Sequence, residues 1–148
     1  MSDTIVNSAE EMMEFGREYA AKAKPNSVFG LVGTLGTGKT HWTKGFVGST
    51  NPDAVVSSPT FAIVNEYRGE LHTVFHFDFY RLKSADELVA LGWDEYLDEG
   101  AITICEWADL FPELMPDHTI WLEISHMSDG SRKIANIKKP TAPTAANQ

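Results

Sequence analysis

Residues Gly33, Gly36, Gly38, Lys39 and Thr40 stand at the spacing G-x-x-x-x-G-K-[ST], a pattern whose chemistry is the holding of phosphate. Glycines there let successive backbone N–H groups turn towards an anion. A helix starting just behind them adds the partial positive charge of its amino terminus. In that pattern Lys39 reaches the β- and γ-phosphates, and the Thr40 hydroxyl ligates Mg²⁺.

A magnesium ion and a water nucleophile both need carboxylates beside such a loop. Two apolar runs end in one: residues 72–78 finish at Asp78 and residues 101–106 at Glu106. Glu106 follows the more uniformly apolar run and is favoured as metal ligand. Asp78 is then left to orient Thr40, a metal-bound water or the attacking water. The reverse assignment stays open, and a lone acid at a strand end is also an ordinary solvated edge residue.

Ser57, Ser58, Pro59 and Thr60 form a polar, proline-stiffened segment that reads equally as a γ-phosphate-sensing switch loop or as a plain turn. Trp107, next to Glu106, could lie near a nucleotide, but on sequence alone it reads better as core. Cys105 sits in an apolar run and is expected to be an inert buried thiol. His72 and His76 alternate on one strand face without a cysteine or third histidine and are assigned structural roles. Trp93, Tyr96 and Leu97 are expected to pack rather than to read a base.

The elements that must position these groups follow from periodicity and punctuation. Ser8 and Glu11 have capping-box spacing, and Met12, Phe15, Tyr19 and Ala23 then recur at helical intervals up to Pro25. Residues 28–32 form an apolar run of the kind buried on both strand faces, and residues 39–47 continue from the glycine loop as a helix. Residues 61–67 and 71–77 read as a β-hairpin with a three-residue loop at Arg68, Gly69 and Glu70. Ser84 and Glu87 open a further helix towards Gly92, residues 101–105 form another buried strand, and residues 118–124 and 131–137 form two late strands around Asp129 and Gly130. The expected fold is α/β: a three-layer P-loop NTPase-like domain over residues 1–139, with a mostly parallel central sheet and an antiparallel hairpin portion. Residues 140–148 are expected to be a frayed, disordered tail.

The 148 residues suffice for one core without disulfides or a structural metal, and 43% hydrophobic with 22% charged residues is the globular norm. The net charge is −9. Residues 130–148 hold four basic and no acidic groups, so residues 1–129 carry 8 basic against 21 acidic, a body at −13 that repels a phosphate backbone. One cysteine allows no intrachain disulfide and no multi-cysteine zinc site. Without a signal-like start or an apolar run of about 20 residues, a cytoplasmic, membrane-free protein is expected.

The sequence lacks D-x-x-G and N-K-x-D, which a small GTPase needs. A nucleoside or small-molecule kinase uses the same loop and Mg²⁺, but the chain is short for an acceptor pocket with a lid and has only four arginines, Arg17, Arg68, Arg81 and Arg132. A third possibility is a nucleotide-gated binding module in which hydrolysis is dispensable.

The ordered set of motifs resembles the TsaE (YjeE) family, P-loop ATPases of tRNA threonylcarbamoyladenosine (A37) synthesis. The resemblance rests on residues 33–40, then 58–61, then His76-Phe77-Asp78-Phe79-Tyr80-Arg81-Leu82, then 87–95 with Leu91-Gly92, and finally Glu106-Trp107. It implies ATP phosphates held by Gly36, Thr37, Gly38, Lys39 and Thr40, Mg²⁺ held by Thr40 and Glu106, Asp78 acting at the γ-phosphate, and a switch-like role for Thr60. It also implies Trp107 near the nucleotide, together with an amino-terminal residue and a late basic residue, for which Ser8 and Arg132 are the nearest matches. Thr37 stands where the family commonly has alanine, and His41-Trp42 where a threonine and an aromatic are common, departures that bear on helix packing. The resemblance further implies TsaD and TsaB as partners, with tRNA contacted only through that assembly and ATP hydrolysis permitting repeated turnover.

Overall fold

The computed structural model describes residues 3–34, 36–56, 63–69 and 72–141. Its seven strands are β1 (Thr4–Val6), β2 (Val28–Val32), β3 (Val64–Tyr67), β4 (Val74–Asp78), β5 (Ile102–Glu106), β6 (Ile120–His126) and β7 (Arg132–Ile137). They form one sheet in the order β1-β7-β6-β2-β5-β4-β3. The central pairs β6-β2, β2-β5 and β5-β4 are parallel, and β1-β7, β6-β7 and β3-β4 are antiparallel. Among the described residues the α-helices are α1 (Ala9–Lys22), α2 (Lys39–Thr50), α3 (Ala85–Ala90) and α4 (Trp93–Asp98).

Alternation along the strands separates the two faces, because successive side chains point to opposite sides. Phe29, Leu31, Val74, Ile102 and Ile104 pack with Met12, Trp42 and Phe46 of α1 and α2. Val28, Val32, Phe75, Phe77 and Cys105 pack on the other side with Leu88 and Trp93 of α3 and α4. The result is a three-layer sandwich. By the same parity His76, Asp78 and Glu106 fall on the face covered by α2, the helix that begins at the glycine loop.

Both capping boxes form: Ser8 Oγ accepts from Glu11 N and Ser84 Oγ from Glu87 N, while Glu11 and Glu87 accept in return from Asn7 N and Lys83 N. The strand at 118–124 lies two residues later, at Ile120–His126, since Thr119 closes a turn onto Pro116 O through both its N–H (3.1 Å) and its hydroxyl (2.7 Å). The hairpin also departs from expectation. Tyr67 pairs with Val74, and Arg68, Gly69, His72 and Thr73 lie outside the strands, so the strands do not meet across a three-residue loop. Arg68 and Gly69 are drawn to the end of α2, where Asn51 Nδ2 donates to Arg68 O at 2.9 Å. Phe61, Glu70 and Leu71 of that hairpin lie outside the described residues, as do Ser57, Ser58, Pro59, Thr60 and positions 142–148 of the expected tail. Strand β1 and helix α4 were not anticipated. Cys105 is fully buried, and burial pushes its thiol well above its ordinary range.

Helices α1 and α2 meet backbone to backbone. A Cβ placed on Gly45 would stand 1.8 Å from Met13 O, and no side-chain rearrangement relieves a contact with main chain. Gly45→Ala must therefore part the helices, at about 1–3 kcal/mol for overpacking. Urea unfolding monitored by circular dichroism should show that loss; unchanged stability would mean that the helices are not in this contact.

Candidate active site

Strand β2 ends where the glycine loop begins, and β4 and β5 end beside it, so the loop and both acids gather at the carboxyl edge of the parallel sheet, where open α/β folds build their sites. The register makes this explicit: Glu106 is opposite Leu31 on one side and Asp78 on the other. Gly38 caps α2 with φ 111°, a left-handed conformation that favours glycine, and offers no side-chain hydrogen bond. The first N–H groups of α2 are thus left to whatever enters the cleft.

The cleft there has a volume of about 480 Å³. Gly36, Thr37, Gly38, Lys39 and Thr40 form its floor, Asp78, Glu106 and Trp107 one wall, and Ser8 and Arg132 the rim. The structure brings those residues together at one cleft. Gly33 lies behind them, its carbonyl accepting from Lys39 Nζ at 2.5 Å, with Thr34 O at 2.9 Å. Thr60 lies outside the described residues. Ser8 reaches the rim because it caps α1, which the close contact with α2 carries over the loop. Arg132, at the start of β7, donates from Nη2 to Gly36 O at 3.2 Å.

Thr40 Oγ1 stands 3.2 Å from Glu106 Oε2 and 3.5 Å from Oε1. Asp78 Oδ1 accepts from Tyr80 N at 3.0 Å. Burial raises the Asp78 carboxyl above its ordinary range, with Glu106 acting in the same direction and the Tyr80 N–H opposing it. Among the described residues no cluster of three His, Cys, Asp or Glu side chains could hold a metal. A hydroxyl and carboxylates alone are a hard oxygen set, and they suit an ion that keeps waters and takes the rest of its ligands from phosphate, as Mg²⁺ does.

Trp107 is both core and cleft. Its ring lies under Lys39 Nζ at 4.1 Å and against Tyr80 with centroids 4.9 Å apart, and its backbone takes φ 60° to present that face. For a residue this bulky the conformation costs about 1–3 kcal/mol and is held by its surroundings. Thr37 accommodates its departure from the family pattern by donating to Thr34 O at 2.9 Å within the loop, and Trp42 fills the core between Phe29, Phe46 and Tyr19. His76, assigned a structural role from the sequence, is fully buried behind the cleft with its Nε2 2.6 Å from Glu106 Oε2. Its alternation with His72 was visible; its reach to a side chain 30 positions away required the β4-β5 register.

Burial brings the Lys39 ammonium down from 10.5 to about 8, although Glu106, Asp78 and Asp109 pull the other way. Below pH 8 the group is protonated folded and unfolded, and the cost of burying its charge is fully present. Between about 8 and 10.5 the unfolded chain binds more protons, so stability rises with pH there. Lys39→Met should therefore be more stable than the parent chain at pH 7, with the gap closing towards pH 10.5. Urea titrations across that range test it, and a gap independent of pH would contradict a buried charge.

The chain matches, over residues 6–134, a family model described as threonylcarbamoyl adenosine biosynthesis protein TsaE. It is 36% identical over 137 residues to the tRNA threonylcarbamoyladenosine biosynthesis protein TsaE of Rickettsia bellii, covering 92% of this chain and 94% of that one. With the Bacillus subtilis protein of the same description it shares 38% identity over 125 residues, 84% and 78% of the two chains. Among solved structures, Bacillus subtilis YdiB superposes with a TM-score of 0.74 at 32% identity, covering 90% of this chain and 82% of the other.

Proposed function

The chain belongs to the TsaE family of tRNA threonylcarbamoyladenosine biosynthesis, and from that premise we propose that it is the Mg²⁺-dependent ATP-hydrolysing subunit of the A37 modification system, working with TsaD and TsaB. The observation that carries the ATPase reading is the contact of Thr40 with Glu106, 3.2 Å, which joins the phosphate loop to the acid-bearing end of β5 at one point of the cleft. Backbone N–H groups at the start of α2 and the Lys39 ammonium bind the triphosphate. Thr40 and Glu106 hold Mg²⁺, which when bound neutralises charge on the β- and γ-phosphates. Asp78, on the neighbouring rung, orients the attacking water, and Trp107 walls the cleft against bulk solvent. Catalysis here is positioning and charge stabilisation without a covalent intermediate. Among the described residues no arginine other than Arg132 lines the cleft, so the free chain turns over slowly and the partners complete the site. A body at −13 meets tRNA through those partners rather than by itself.

Product analysis tests the chemistry. Incubation with Mg·ATP should yield ADP and free phosphate alone, with no phosphorylated product when nucleosides are added. A phosphorylated acceptor would overturn the ATPase reading in favour of a kinase, and ATP binding without phosphate release, alone or with TsaD–TsaB, would favour a gated binding module.

A further inference from the structure

We infer that His76 is a positioning residue for magnesium: its Nε2–H holds the Glu106 carboxylate by Oε2 so that the cation site at Thr40 is preformed. The inference rests on the ATPase reading above and deepens it. Glu106 is 4% exposed, and a carboxylate so placed needs its orientation fixed by something other than water. Among the described residues two groups hydrogen-bond to it, the Thr40 hydroxyl at 3.2 Å and His76 Nε2 at 2.6 Å. The first of these would itself be a metal ligand, its oxygen shared with the cation. His76 would hold Glu106 without taking part in the metal's coordination.

Three features suit His76 to that task. It is fully buried in the middle of β4, whose register against β5 runs unbroken from Val74 opposite Ile102 to Asp78 opposite Glu106, so the ring is fixed to the same two strands that present the acids. It falls on the same sheet face as Asp78 and Glu106, two residues from the former. Its Nδ1 has no hydrogen-bond partner among the described residues, so the tautomer with hydrogen on Nε2 leaves no buried donor unsatisfied and directs that hydrogen at Glu106. An apolar side chain would fill this core position without an orphaned nitrogen, which makes a purely space-filling histidine a costly choice. Groups that orient a ligand in this way typically matter about 10–100-fold for metal affinity.

The test measures binding of a non-hydrolysable ATP analogue by calorimetry, with excess Mg²⁺ and with EDTA, so that the gain in affinity due to the metal is read separately from turnover. In His76→Asn the amide is too short to reach Glu106, whereas in His76→Gln the terminal nitrogen stands near the original Nε2. His76→Asn should lose about tenfold of the metal-dependent gain while metal-free affinity changes less than about twofold, and His76→Gln should restore most of the gain. In a Glu106→Gln background His76→Asn should have no further effect on it. Should the asparagine variant fail to fold, His76→Phe replaces it with the same expectation. A full metal-dependent gain in the asparagine or phenylalanine variant overturns the inference, as does an equal loss of metal-free and metal-dependent affinity in both amide variants, the mark of a structural role. If the parent chain itself gains nothing from Mg²⁺, the metal site at Thr40 and Glu106 is wrong and the inference falls with it, a result distinct from the others.

Discussion

Lys39→Ala should weaken ATP binding by about 100- to 1000-fold and abolish phosphate release, while leaving the chain folded. Lys39 is 5% exposed, its ammonium between two loop carbonyls and the Trp107 ring, and a bound triphosphate would receive its charge with little water between them. Truncating one partner of such a buried, hydrogen-bonded charge pair costs about 2–5 kcal/mol, which spans that range. Burial disfavours the ammonium's charge, which offsets the loss of its bonds to Gly33 O and Thr34 O, so the unliganded variant should melt close to the parent. That combination, function lost and stability kept, separates a binding role from a structural one. Calorimetric titration with ATP together with a thermal melt reads both, and a variant that binds ATP within a factor of three of the parent would remove Lys39 from the site.

Glu106→Gln carries the second large effect. The substitution keeps the shape and deletes the charge, so it should abolish most of the metal-dependent gain in nucleotide affinity and lower kcat by about 100-fold or more. Metal-free binding should be nearly unchanged, since the loop and Lys39 hold the phosphates. Asp78→Asn should differ in kind: kcat falls by a similar factor, but the metal-dependent gain persists, because Asp78 Oδ1 accepts from the Tyr80 N–H and in the proposed mechanism the residue acts on water rather than on the metal. If instead Asp78→Asn loses the metal-dependent gain and Glu106→Gln keeps it, the two carboxylates exchange roles.

Much of this site was legible in one dimension because its parts are local. The phosphate loop is a contiguous pattern, and Asp78 and Glu106 declare themselves as acids closing apolar strands. Strand parity then places both on the face that α2 covers. What was not legible depends on pairing between distant segments. His76 meets Glu106 only once β4 and β5 are in register, and a three-residue strand such as β1 carries too little periodicity to be recognised before β7 is beside it. The hairpin connection was misjudged because Arg68 and Gly69 answer to the end of α2 rather than to local turn chemistry. Trp107 reads as core from its neighbours in sequence; its positive φ, which turns the ring to Lys39, leaves no mark in composition. Ser8 and Arg132 carry no phosphate motif of their own, and their arrival at the rim is a consequence of helix contact and strand order.

Steady-state phosphate release from Mg·ATP by the purified chain, with and without the TsaD–TsaB pair, decides whether this is a partner-completed ATPase. The rate alone should be slow, well below the roughly 1–100 per second of typical kinases, with stimulation by the pair that disappears in Lys39→Ala. A rate unchanged by the pair, in a chain that demonstrably binds ATP, would contradict a partner-completed ATPase.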